Sequence, residues 1–91
     1  MSRLSEEDVL EIVEVIEQQL QSIPQMDRIQ KMRMKTKVRH QAAYLRTILN
    51  PTPKRVFDKL RNRMPDVFNT IPAGLHDTIQ DFLDEKIRGI K

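Results

Sequence analysis

The sequence predicts an all-α protein, a small bundle of about four amphipathic helices. Apolar residues recur at three- and four-residue spacings in four segments, and no stretch shows the alternation of a half-buried strand. Two glycines and five prolines are not the composition of a many-turned β protein. The breaks between periodic segments fall at Pro24, at Asn50-Pro51-Thr52-Pro53 and at Pro65. Ninety-one residues support one core, so residues 1–91 read as a single helical domain.

The first segment carries Val9, Ile12, Val13, Ile16, Leu20 and Ile23 on one face of a 3.6-residue period. Ser5 followed by Asp8 fits the acidic form of the capping box, and Glu6, Glu7 and Asp8 complement the positive end of the helix dipole. Pro24 disfavours helical geometry at Ile23. The helix is expected over about 5–22.

The second segment has no Gly or Pro from Met26 to Leu49, and Gln, Lys, Met, Arg and Ala dominate it. Met34, Val38, Ala42, Leu45, Ile48 and Leu49 form an apolar stripe, while Ile29 and Met32 lie on another side. The composition favours one long helix over about 26–49; the alternative is a break near residues 30–33. Thr52 is a cap and Pro53 a first helical residue for a third helix over about 53–63, with Val56, Phe57, Leu60 and Met64 inward. Residues 65–74 read as a connector whose Val67, Phe68 and Ile71 cover the core. Leu75, Ile79, Phe82, Leu83, Ile87 and Ile90 set a last helix over about 72–89. The expected core is Val9, Ile12, Val13, Ile16, Leu20, Val38, Leu45, Leu49, Val56, Phe57, Leu60, Ile79, Phe82 and Leu83.

Charge is segregated along the chain. The net charge of +3 conceals a −6 stretch over residues 1–27 and a −2 stretch over 64–91. Between them, residues 28–63 hold twelve basic residues against Asp58 alone, a net +11. At 100° per residue on an ideal helix, Arg28, Lys31, Lys35, Arg39 and Arg46 fall within about 80° of one another. Arg33, Lys37 and His40 make a second basic side, with Tyr44 beside them. Like charges one turn apart oppose the helix, so either internal acids or an external anion must offset them.

Helix one could supply the acids, lying antiparallel to helix two with Glu7, Glu11, Glu14 and Glu17. It does not account for the third helix, which is also basic. The leading functional expectation is therefore a non-catalytic protein that binds a DNA or RNA backbone. Its candidate contacts are Arg28, Lys31, Lys35, Arg39, Arg46, Lys54, Arg55, Lys59 and Arg61. Tyr44 alone offers a stacking ring, so backbone or shape contact is expected ahead of base reading. The alternative is a protein–protein adaptor or regulatory accessory protein, self-associating or facing an acidic partner. Met26, Met32 and Met34 suit such a surface, but core filling is the favoured role for them.

Catalysis is not expected. Zero Cys excludes a disulfide scaffold, a thiolate zinc site and a Cys nucleophile. His40 and His76 share no metal-ligand spacing and read as surface histidines. Ser2, Ser5 and Ser22 sit on no nucleophile elbow, and Asp77 and Asp81 read as an acidic solvated face. No cofactor or metal is expected. No run approaches the ~20 apolar residues of a membrane span, and the acidic beginning is unlike a secretory signal. An intracellular location is the expectation.

Overall fold

The structure, a computed structural model, describes residues 2–89, and there is no strand among them. Helix α1 (Glu6–Gln21) starts as its sequence requires. Ser5 is extended, its hydroxyl accepts from the Asp8 N–H at 3.1 Å, and the Asp8 carboxylate accepts from the Ser5 N–H at 3.0 Å. This reciprocal cap satisfies two donors at the helix start. The five buried residues of α1 are Val9, Ile12, Val13, Ile16 and Leu20, all from the expected stripe.

Helix α2 (Arg28–Ala42) opens on Asp27, whose carboxylate accepts from the Gln30 N–H at 2.8 Å. It passes through residues 30–33 without a break. It does not run to residue 49, however. It tightens into a 3-10 turn (Ala43–Thr47), and the backbone then extends at Ile48. Three residues per turn instead of 3.6 shifts side-chain direction by about 20° per residue. The late part of the stripe is therefore displaced. Leu45 and Ile48 stay buried, and Leu49, expected inside, is 39% exposed.

Asn50 adopts the left-handed conformation at φ 48°, which Asn tolerates. Its N–H donates to the Ser2 carbonyl at 2.9 Å, and its side-chain oxygen accepts from the Ser2 N–H at 3.2 Å. The two bonds clip the segment before α1 to this turn, and Leu4 is buried. Thr52 then caps α3 (Pro53–Arg63) by accepting from the Arg55 N–H at 3.2 Å, with Pro53 in the first turn.

Pro65 does end α3, but the following residues are not a plain connector. They form a short helix, α4 (Pro65–Thr70), because proline is as well suited to the first position of a helix as to ending the previous one. Val67, Phe68 and Ile71 are buried there as expected. Helix α5 (Ala73–Arg88) completes the small all-α bundle that the sequence predicts, with five α-helices among the described residues, the short α4 being the addition. Ile90, assigned to the last stripe, lies outside the described residues.

α1 and α2 run antiparallel, since Gln21 meets Lys31 and Lys35 while Glu17 meets Arg39. α5 packs on both α1 and α3, and one apolar cluster joins all the elements. Phe57 and Phe68 meet edge to face at 5.4 Å within it. Phe82, expected in the core, is only partly buried, while Leu4, Ile23, Met64 and Ile87 join it.

Candidate nucleic-acid interface

Helix α2 has fifteen residues and no Asp or Glu among them. Val38 and Ala42 point inward and fix its rotation. Its two flanks then meet different neighbours. On one flank, the Lys31 ammonium donates to the Gln21 backbone carbonyl at 3.0 Å, and Lys35 donates to the Gln21 side-chain oxygen at 2.8 Å. The last turn of α1 carries no basic residue of its own, so these lysines supply the positive charge its carbonyl end favours. Arg39 reaches the Glu17 carboxylate at 3.4 Å. On the other flank, Lys37 pairs with Asp66 of α4 at 2.8 Å. The hydrogen bond from Lys37 is the main reason the Asp66 carboxyl is held below its ordinary pKa.

The crest between the flanks faces solvent. Ile29 and Met32 are 66% and 61% exposed, with Arg28, Arg33, Thr36 and His40 also exposed around them. Met26 and Met34 pack against the core, so core filling describes two of the three methionines and not Met32.

The nine candidate cations do not form one continuous stripe. Lys31, Lys35 and Arg39 are turned toward α1 and hydrogen-bonded to it. Arg46 lines a groove between α1 and the 3-10 turn, with Glu6, Glu14, Glu17 and Arg39, over a floor containing Val9, Leu10 and Val13. Arg28 stands exposed at the start of α2. Lys54 and Arg61 line a cleft between α3 and α5 that also holds Asp58, Asp81 and Asp84. Arg61 pairs with Asp58 at 3.2 Å. Arg55 and Lys59 lie on the opposite side of α3, where Arg55 also donates to the Leu49 carbonyl at 3.3 Å.

Of the twelve basic residues in 28–63, only Lys37, Arg39 and Arg61 have a carboxylate within ion-pair distance among the described residues. The acids of α1 are divided: Glu6, Glu14 and Glu17 share the groove with Arg39 and Arg46, and two others face α5. Asp8 and Glu11 both hold Lys86 of α5, Asp8 at 3.1 Å. Hydrogen bonds to Glu11 and Asp8 raise the Lys86 pKa, and the cap from the Ser5 N–H, with Lys86 assisting, lowers that of Asp8.

Two features were not legible in the sequence. Arg63, the last residue of α3, lays its guanidinium over the Tyr44 ring with the central carbon 3.4 Å from the ring centre. His76 is partly buried rather than a surface residue. Its Nε2 lies 2.8 Å from the Phe68 carbonyl and 3.0 Å from that of Ile71, so the proton sits on Nε2 and caps the end of α4. The ring also packs edge-on against Phe57 and Phe68.

Among the described residues, no group of three or more His, Cys, Asp or Glu is placed to hold a metal, and no helix is long and apolar enough to cross a membrane. No protein-family model matches the chain, and neither curated proteins nor solved structures give a match.

Proposed function

We propose that this chain is a non-catalytic nucleic-acid-binding protein that grips the phosphodiester backbone with cations of α2, the 3-10 turn and α3. The observation that carries this reading is the small number of internal ion pairs in a net +11 region. Nine of its twelve cations lack a carboxylate partner among the described residues. Phosphates would offset the repulsion within α2, and release of their counterions would drive binding.

The test is affinity for a labelled oligonucleotide across a salt series. Arg28, Arg33, Arg46 and Lys59 make no ion pair or side-chain hydrogen bond among the described residues; Arg28, Arg33 and Lys59 are reversed to Glu, and Arg46, whose groove also holds Glu6, Glu14 and Glu17, is neutralised to Gln so that the fold is spared. For every phosphate that is no longer gripped, the log–log salt slope should flatten by roughly 0.7–0.9. Unchanged affinity in the reversed protein, with native circular dichroism, would refute the reading.

Ile29 and Met32 favour a second reading, an adaptor that docks the crest of α2 on another protein or on its own copy. A concentration-dependent mass in solution, unaffected by these four substitutions and abolished in Ile29→Asp, is its signature.

A further inference from the structure

We infer that Tyr44 and Arg63 form a stacking site for an unpaired nucleobase, an inference that rests on the nucleic-acid reading above. It narrows the expected ligand from any phosphodiester backbone to a single strand.

The site is built by the 3-10 turn. Leu45 anchors the turn in the core, and the Thr47 hydroxyl donates to the Tyr44 carbonyl at 2.7 Å, which holds the backbone at the aromatic residue. The guanidinium of Arg63 lies flat enough over one ring face to approach its centre at 3.4 Å. Half of the Tyr44 surface still meets solvent. The Arg63 Nε is enclosed and has no hydrogen-bond partner. The stack therefore holds the guanidinium in place without using up its terminal N–H groups, for which no hydrogen bond or ion pair is found.

The surroundings supply phosphate contacts. Arg55, Lys59 and Arg63 recur at four-residue spacing, so Lys59 stands one turn before the stack on the same side of α3. His40 is exposed one turn before Tyr44. The nearby acid, Asp66, is already paired with Lys37. A positioned aromatic ring with cations beside it matches what an unpaired base and its phosphate present. A duplex keeps its base faces stacked inside and offers nothing to the ring, whereas an acidic peptide would engage the cations and leave the ring without a role.

The chain contains no Trp and a single Tyr, which permits a direct readout. Tyr44→Trp introduces the only indole, excitable on the red edge where nucleobases absorb little. The full-length variant is titrated with an oligothymidylate and with a mixed-sequence duplex at one salt concentration. We expect tighter binding of the single strand, quenching of the indole by it, and no quenching by the duplex. Tyr44→Ala should weaken single-strand binding roughly tenfold or more. It should leave duplex affinity and the salt slope unchanged. Tyr44→Phe keeps the ring and should bind as the parent does, which guards against a folding defect in the alanine variant. Equal affinities with unchanged indole emission would overturn the stacking site and leave backbone binding standing. No binding of either oligonucleotide at low salt would overturn both.

Discussion

Lys86 and Lys59 are the same residue in two opposite situations. Lys86 is largely covered and held by two carboxylates, which join α5 to α1. Lys59 is exposed on α3, with no carboxylate within ion-pair distance among the described residues. The contrast extends to the two regions around them. The α1–α5 junction places its acids against a cation. In the α2–α3 region most cations have no carboxylate within ion-pair distance among the described residues, although α1, rich in acids, lies directly against α2. Charge in the first region sets how helices meet. Charge in the second holds α2 to its neighbours through Lys31, Lys35, Lys37 and Arg39, and the repulsion among its cations is a cost that the proposed ligand would relieve.

Several changes should break or sharpen that contrast. The largest effect is expected from the combined change of Arg28, Arg33 and Lys59 to Glu and of Arg46 to Gln. It should lower nucleic-acid affinity by roughly a hundredfold or more while barely moving Tm. Lys86→Met should do the converse: Tm falls because Asp8 and Glu11 are left facing each other, and affinity is unchanged. Thermal melts and binding isotherms on both variants check the pair.

The histidines extend the comparison. His76→Ala removes the donor shared by two carbonyls at the end of α4 and the packing against Phe57 and Phe68. It should cost about 2 kcal/mol in denaturant unfolding. His40→Ala, on the exposed crest, should stay within about 0.5 kcal/mol. Removing the α1 cap with Ser5→Ala should cost about 1 kcal/mol.

Acid and base should separate the two regions more gently. Asp8 and Asp66 have folded pKa values below the ordinary 3.8. Their stabilisation is therefore complete above that value and is lost as pH falls through the lower folded ones. Lys86 is shifted above 10.5, so its contribution is complete below that pH and is lost as pH rises through the higher folded value. Asp8→Asn should reduce the acid dependence of Tm; an unaltered pH profile would show that the Asp8 carboxylate adds no stability there.

The fold is legible where the local signals are long or chemically specific. α1 and α3 announce themselves through periodic apolar residues and through Ser5–Asp8 and Thr52–Pro53. α4 does not, because six residues are too few to establish a period and its first proline reads equally as a stop. Leu49 is misplaced by the sequence pattern because an ideal cylinder cannot anticipate the tightening after Ala42. The basic region is visible as charge, and the stripe containing Lys31, Lys35 and Arg39 is geometrically sound. Which way that stripe faces depends on Val38 and Ala42 packing it beside α1. The Tyr44–Arg63 stack joins residues on either side of a left-handed turn, and no sequence spacing reports that.

Helix α2 has a further consequence for local stability. With six Lys and Arg and no acid in fifteen residues, its segment would be mostly coil as a free peptide. Its order is lent by the carbonyl end of α1 and by the core beneath Val38 and Ala42. The first turns, where Ile29 and Met32 face solvent, bury no residue and rest on the Asp27 cap and the Lys31 contact, both exposed. Amide exchange in α2 should therefore be fastest at that end and slow along the helix toward Ala42. Under the proposed function, a bound polyanion would reduce that difference, and α2 would be more ordered when occupied than when empty.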